Sequence, residues 1–99
     1  MEKLYLSSNQ IGASGAQALA NALPQCGLPY LNLSSNQIGD SGAQALANAL
    51  PQCGLEVLYL LFNPIGDSVQ SELKKMSVSG SNPLLHTLNR EGHAIEIWV

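Results

Sequence analysis

The chain repeats itself. Residues 4–30 read LYLSSNQIGASGAQALANALPQCGLPY and residues 31–57 read LNLSSNQIGDSGAQALANALPQCGLEV, with 23 of 27 positions identical. The differences are Tyr5/Asn32, Ala13/Asp40, Pro29/Glu56 and Tyr30/Val57, and a third copy opens at Leu58 with LYLLFNPIGDS before it drifts. A fixed period of this size marks a solenoid, because so small a unit cannot bury an apolar face alone and must stack on its neighbours. Three units are about the minimum for a stable stack, so these 99 residues sit at that limit.

Each unit has the same internal order. In Leu28-Pro-Tyr-Leu31-Asn-Leu33-Ser-Ser-Asn36 the pattern LxxLxLxxN alternates Leu31 and Leu33 as a short half-buried strand requires. The next unit repeats it as Leu55, Leu58, Leu60 and Asn63; the first offers Met1, Leu4, Leu6 and Asn9, with Met1 in a leucine slot. Ile11, Ile38 or Ile65 follows, then Gly12, Gly39 or Gly66, where glycine permits a turn out of the strand. Ser14-x-x-Gln17 and Ser41-x-x-Gln44 have capping-box spacing, and GAQALANAL places Ala16, Leu19 and Leu23 on one helical face. The alanines around them let neighbouring helices lie close. Pro24 and Pro51 are expected to disfavour helix at the leucines before them, and Gly27 and Gly54 to mark the bend back. The unit is predicted to run strand, turn, helix, loop.

Apolar content of 45% is globular, whereas the charged fraction of 11% is well under the usual quarter, so the polar surface rests on Ser, Asn and Gln. The net charge is -3 and the one basic pair, Lys74-Lys75, reads as a solvated helix face. Nucleic acid and anionic membrane therefore lack an electrostatic basis as partners. No run approaches the roughly 18 apolar residues of a membrane span and no basic-then-apolar leader opens the chain, so a soluble protein or fragment is expected. Cys26 and Cys53 are one period apart; on neighbouring helices about 8–10 Å from each other they exceed the roughly 7 Å limit for a disulfide. Both are read as free buried thiols, with no further ligands nearby for a metal, which fits a reducing compartment.

These residues resemble the leucine-rich repeat family in its ribonuclease-inhibitor-like subclass: LxxLxLxxN-x-IG-x-x-G-A-x-x-L-A-x-x-L recurs in register over residues 1–76. The resemblance implies an α/β fold, a right-handed solenoid with a parallel sheet on the concave side and helices on the convex side. Repeats are expected at 1–27, 28–54 and 55–76, with a capping segment at 77–99. The period of 27 is slightly short for that subclass. Near-identity of two copies points to recent duplication or to consensus design.

In the third copy Val69 replaces a glycine, Lys74 an alanine and Ser77 a leucine, polar changes that suit a terminal unit whose outer face meets water. Ser77 to Ser81 reads as a loop. Asn82-Pro83 predicts the start of a helix through LLHTLNRE that Gly92 closes. Ala94 to Val99 alternates like a strand and is expected to join the sheet or fold over its last edge. The first strand begins almost at Met1, so we expect either an upstream continuation of the array or another molecule, including self-association, to cover that end.

The column Asn9, Asn36 and Asn63 is read as structural, each amide satisfying backbone where the strand turns away. Strand positions pointing away from the leucines form the expected partner-binding face: Lys3, Tyr5, Ser7, Tyr30, Asn32, Ser34, Val57, Tyr59 and Leu61. Tyrosines on a rigid sheet offer large contact area at low entropic cost, and two of the four differences between the copies, Tyr5/Asn32 and Tyr30/Val57, fall on this face. Leu61-Phe62 replaces Ser-Ser and is expected to touch the C-terminal tail or, failing that, a partner. His86, Glu91 and His93 match neither a zinc nor a triad spacing, and no nucleophile elbow or phosphate loop is present.

A non-enzymatic protein-binding module without cofactor or metal is therefore expected, its partner a protein. By analogy to the family it would be cytoplasmic, as the sensing end of an intracellular immune receptor or an inhibitor-like binder, or else a secreted bacterial effector acting in host cytosol. The alternatives are a purely structural segment of a longer solenoid and, more remotely, a GTPase-activating repeat protein.

Overall fold

The computed structural model describes residues 3–25, 27–77 and 88–99. Met1, Cys26, the loop after Ser77, the predicted helix start at Asn82-Pro83 and His86 lie outside the described residues.

Strands β1 (Lys3–Tyr5), β2 (Tyr30–Asn32), β3 (Val57–Tyr59) and β4 (Glu96–Trp98) form one parallel sheet in chain order. Leu4, Leu31, Leu58 and Ile97 stand side by side in its register. Helices α1 (Gly12–Ala22), α2 (Gly39–Ala49) and α3 (Asp67–Met76) form the second layer, giving the α/β arrangement of a repeat solenoid. Leu31, Leu33, Leu58 and Leu60 are fully buried in a single core with Ala16, Ala43, Leu46 and Leu73 from the helices. Each such leucine contributes about 1.5–3 kcal/mol by burial. Leu4 and Leu6 of the first unit are only half-buried, since β1 has a neighbour on one side alone.

Helices start differently from expectation. Ser14 and Ser41 are exposed in the first turns of helices that begin two residues earlier, and neither Ile11 nor Ile38 at the N-cap carries a side-chain cap. Instead Gly12 and Gly39 open the helices at φ +70° and +72°. The donors there bond across to the next unit: Ile11 N–H to Asn36 Oδ1 at 3.3 Å, Gly12 N–H to Asn36 O at 2.8 Å, and Ile38 N–H to Asn63 Oδ1 at 3.1 Å. Leu23 and Leu50 also stay helical despite the prolines after them, because the chain tightens into 3-10 turns over Leu23–Gln25 and Leu50–Gln52 that keep both leucines buried. Buried Gly42 marks where α1 and α2 nearly touch. A Cβ there would lie 3.0 Å from that of Ala16 and 3.1 Å from Ala13 Cα.

The third turn departs from the first two at Pro64. Gln10 and Gln37 sit at φ +54° and +55°, a value the proline ring forbids. Gly66 is accordingly extended, at φ −69° and ψ 162°, and the helix starts one residue later. Its N–H is held by Asp40 Oδ1 at 2.6 Å, which gives one of the four differences between the copies a structural role.

Ser77 is not a water-facing terminal substitution but is 2% exposed. Its hydroxyl accepts the N–H of Ile97 at 3.0 Å. Ala94 to Val99 does supply a fourth strand, β4, parallel to β3. Residues 88–92, expected to finish a helix, instead form a turn closed by an antiparallel bridge between Leu88 and Ala94, with Gly92 at φ +81°. Buried Asn89 organises it: Oδ1 accepts the N–H groups of Glu91 and His93, and Nδ2 donates to Leu55 O at 3.0 Å. Arg90 reaches back to Pro24 O at 2.6 Å, tying the C-terminal segment to the loop of the first unit.

Candidate binding face

Alternation along each strand sends the leucines into the core and leaves the intervening side chains on the opposite face. Lys3, Tyr30, Val57 and Glu96 share one row across the strands; Tyr5, Asn32, Tyr59 and Trp98 share the next. The parallel ladder continues beyond the strands through Ser8 N–H to Ser34 O and Ser35 N–H to Leu61 O, at 3.0 and 2.9 Å, which carries Ser7, Ser34 and Leu61 alongside. Strand pairing thus brings all nine of the sequence-derived positions into one neighbourhood.

Aromatic rings dominate this face. The centroids of Tyr5 and Tyr30 are 5.3 Å apart, those of Tyr30 and Tyr59 5.4 Å, both tilted, and Tyr59 and Trp98 stack at 6.1 Å with 14° between planes. Such pairs stabilise each other by about 0.5–1.5 kcal/mol beyond area burial, so the rings are held in place before anything binds. Lys3 Nζ lies 5.3 Å from the Tyr30 centroid, within cation–π range. The Tyr30 phenol is pushed up to about 12, first by the loss of hydration between its neighbours and then by the phenols of Tyr59 and Tyr5. Tyr5 and Trp98 remain 59% and 43% exposed. Asn32 interrupts the second row, its Oδ1 accepting the N–H of Ser34 at 3.0 Å.

Trp98 and Glu96 belong to this face although sequence reasoning left them out. The signal was present: in Ala94-Ile95-Glu96-Ile97-Trp98-Val99, buried Ile95 and Ile97 alternate with outward Glu96 and Trp98. Missing was the register of this segment on β3, which no repeat dictates. Of the pair Leu61-Phe62, the structure leaves Leu61 half-buried and Phe62 exposed. Phe62 is 84% exposed and so is not buried against the described part of the tail; it occupies the turn position that Ser8 and Ser35 hold, at φ 61° against their 61° and 59°.

The asparagine column connects neighbouring units. Asn36 Oδ1 accepts the Asn9 N–H at 2.7 Å, while its Nδ2 donates to Leu6 O at 2.7 Å and Ser34 O at 3.1 Å. Asn63 repeats the pattern on the second unit, accepting from Asn36 N–H at 2.8 Å and donating to Leu33 O and Leu60 O, both at 3.0 Å. The Asn9 side chain bonds only within its own unit, to Leu6 O and Ser7 O, and is exposed. Asn36 is wholly buried.

A groove of about 500 Å³ between α1 and α2 is lined by alanines, Pro24 and neutral amides including Asn21, Asn48 and Gln52. Among its described lining residues there is no acid, base or nucleophile. Glu91 and His93 are exposed on the C-terminal turn, Glu91 pairing with Arg90 at 3.3 Å. Among the described residues no three His, Cys, Asp or Glu are grouped to hold a metal, and no helix is long and apolar enough to cross a membrane. Burial pushes the Cys53 thiol up, and Sγ donates to Leu50 O at 3.5 Å inside the core.

A stack of strand-turn-helix units exposing an ordered sheet surface is the construction of a repeat protein. A family model described as Leucine Rich repeat matches residues 1–20 and 28–47, and with the parallel sheet and its helices this fits a leucine-rich repeat protein. Neither the curated proteins nor the solved structures contain a match to the chain.

Proposed function

We propose that this chain is a non-enzymatic protein-binding module of the ribonuclease-inhibitor-like subclass that engages a protein partner on the sheet face opposite its helices. The succession of ring contacts from Tyr5 through Tyr30 and Tyr59 to Trp98, which spans both rows, carries this reading. Aromatic side chains are the favoured anchors of interfaces, and rings already ordered by each other and by stacked strands lose little entropy on binding. Helices of 11 residues in the first two units support the subclass, and the free, buried Cys53 thiol supports a cytoplasmic setting.

The test is capture with the purified chain as bait, wild type against the triple variant Tyr5→Ala, Tyr30→Ala and Tyr59→Ala, with circular dichroism confirming that the variant stays folded. Loss of the wild-type partner from the variant is expected. A partner retained by the triple variant removes the sheet face as the binding surface. The second reading, a structural segment of a longer solenoid, draws on the half-buried Leu4 and Leu6, which leave the first unit open to a further neighbour.

A further inference from the structure

Among the described strands, the charges of the binding face stand on the two outermost. Lys3 on β1 and Glu96 on β4 terminate the same row, with Tyr30 and Val57 between them. Neither has a salt-bridge partner among the described residues, where the one pair is Arg90 with Glu91. Read in reverse, this row complements itself: Lys3 meets Glu96, and Tyr30 meets Val57. The second row behaves alike, since reversal sets Tyr5 against Trp98 and Asn32 against Tyr59.

We propose that the partner recognised by this face includes a second copy of the chain, the two sheets packing face to face about a two-fold axis that runs along the strands between β2 and β3. This inference rests on the protein-binding reading of the face. That axis lays β1 of one copy over β4 of the other while keeping each row opposite itself. Both Lys3–Glu96 pairs form at once, as a self-complementary interface requires. Each large ring then faces either a smaller side chain, Val57 or Asn32, or the offset pair Tyr5 and Trp98. A two-fold axis across the strands would instead set β1 over β1 and β4 over β4, bringing Lys3 towards Lys3 and Glu96 towards Glu96. Like charges so placed disfavour it. Sheets packed this way lie about 10 Å apart, a gap that tyrosines from both sides fill.

The face spans four strands about 4.8 Å apart and about five residues of roughly 3.3 Å each along the strands, which puts the projected contact at roughly 300 Å² per copy, below the standard size of specific interfaces. So small a contact makes a weak, concentration-dependent dimer the expectation. Trp98 is the chain's single tryptophan and lies within the contact, so its emission reports pairing directly.

Sedimentation equilibrium and Trp98 emission of the 99-residue chain, from about 10 μM to about 1 mM, test this. A monomer–dimer equilibrium is expected, weakened about tenfold or more by Lys3→Glu alone and by Glu96→Lys alone, and restored to within about threefold of wild type when the two are combined. Recovery in the combined variant separates pairing from misfolding, which two swaps could not reverse. Monomer throughout the range, or a combined variant no tighter than either single one, overturns the proposal. Should the wild type stay monomeric yet capture another protein that the triple tyrosine variant loses, self-pairing falls while the protein-binding reading stands.

Discussion

The hydroxyl of Ser77 accepts the backbone N–H of Ile97 at 3.0 Å, both groups being buried. Because Glu96 N–H and Trp98 O face β3, the N–H of Ile97 points to the outer edge of β4, where the sheet ends. Exposed strand edges invite pairing with other chains. A serine in place of the leucines at positions 23 and 50 supplies an acceptor for that edge donor.

Ser77→Ala strands that donor and is expected to cost about 1–3 kcal/mol. Urea unfolding should show a lower midpoint at unchanged slope. An unchanged midpoint would mean that the edge is closed by something other than this hydroxyl.

The asparagine column should show graded stability. Asn36→Ala removes the acceptor of Asn9 N–H and the donor to Leu6 O from a fully buried position, a loss of roughly 3 kcal/mol. Asn9→Ala removes an exposed side chain bonded only within its own unit and should cost under about 1 kcal/mol. Equal losses measured by thermal or urea unfolding would contradict this order.

Alkaline titration should isolate Tyr30. Its phenol ionises near 12 in the folded chain against 10.0 ordinarily, so the folded state holds this proton more tightly than the unfolded state does. The associated stability is fully present below pH 10 and is lost as pH rises through about 12. Tyr30→Phe should remove the phenolate absorbance step near pH 12 and flatten the fall in stability across that window. A step that persists in the variant belongs to another group.

Phe62→Ser should separate binding from folding. The ring is 84% exposed, and serine already occupies the same backbone conformation at positions 8 and 35. The urea midpoint should move by less than about 0.5 kcal/mol in free-energy terms, while capture of the partner weakens. A large stability loss would show that the ring packs on the chain itself.

Much of the architecture is legible in the repeat. A period of 27 with LxxLxLxxN in register forces Leu4, Leu31 and Leu58 into adjacent strands, because only stacking buries them. Alternation then exposes Tyr5, Tyr30 and Tyr59. Details that depend on the neighbouring unit were not legible. Ser14 has the spacing of a cap, yet Asn36, more than twenty residues downstream, satisfies the donors at that helix start. Ser77 looks like a surface residue in the sequence because the strand that buries it lies outside the repeat.

Sequence alone determined the unit, its order of elements and the outward face of the first three strands, since these follow from periodicities that each copy states by itself. Tertiary structure decided where the segment outside the repeat is placed. The register of β4, the burial of Ser77 and Asn89 and the arrival of Trp98 beside Tyr59 all depend on contacts between segments far apart in the chain. No period links such segments. Their placement is set by which buried hydrogen bonds and apolar contacts can be satisfied together.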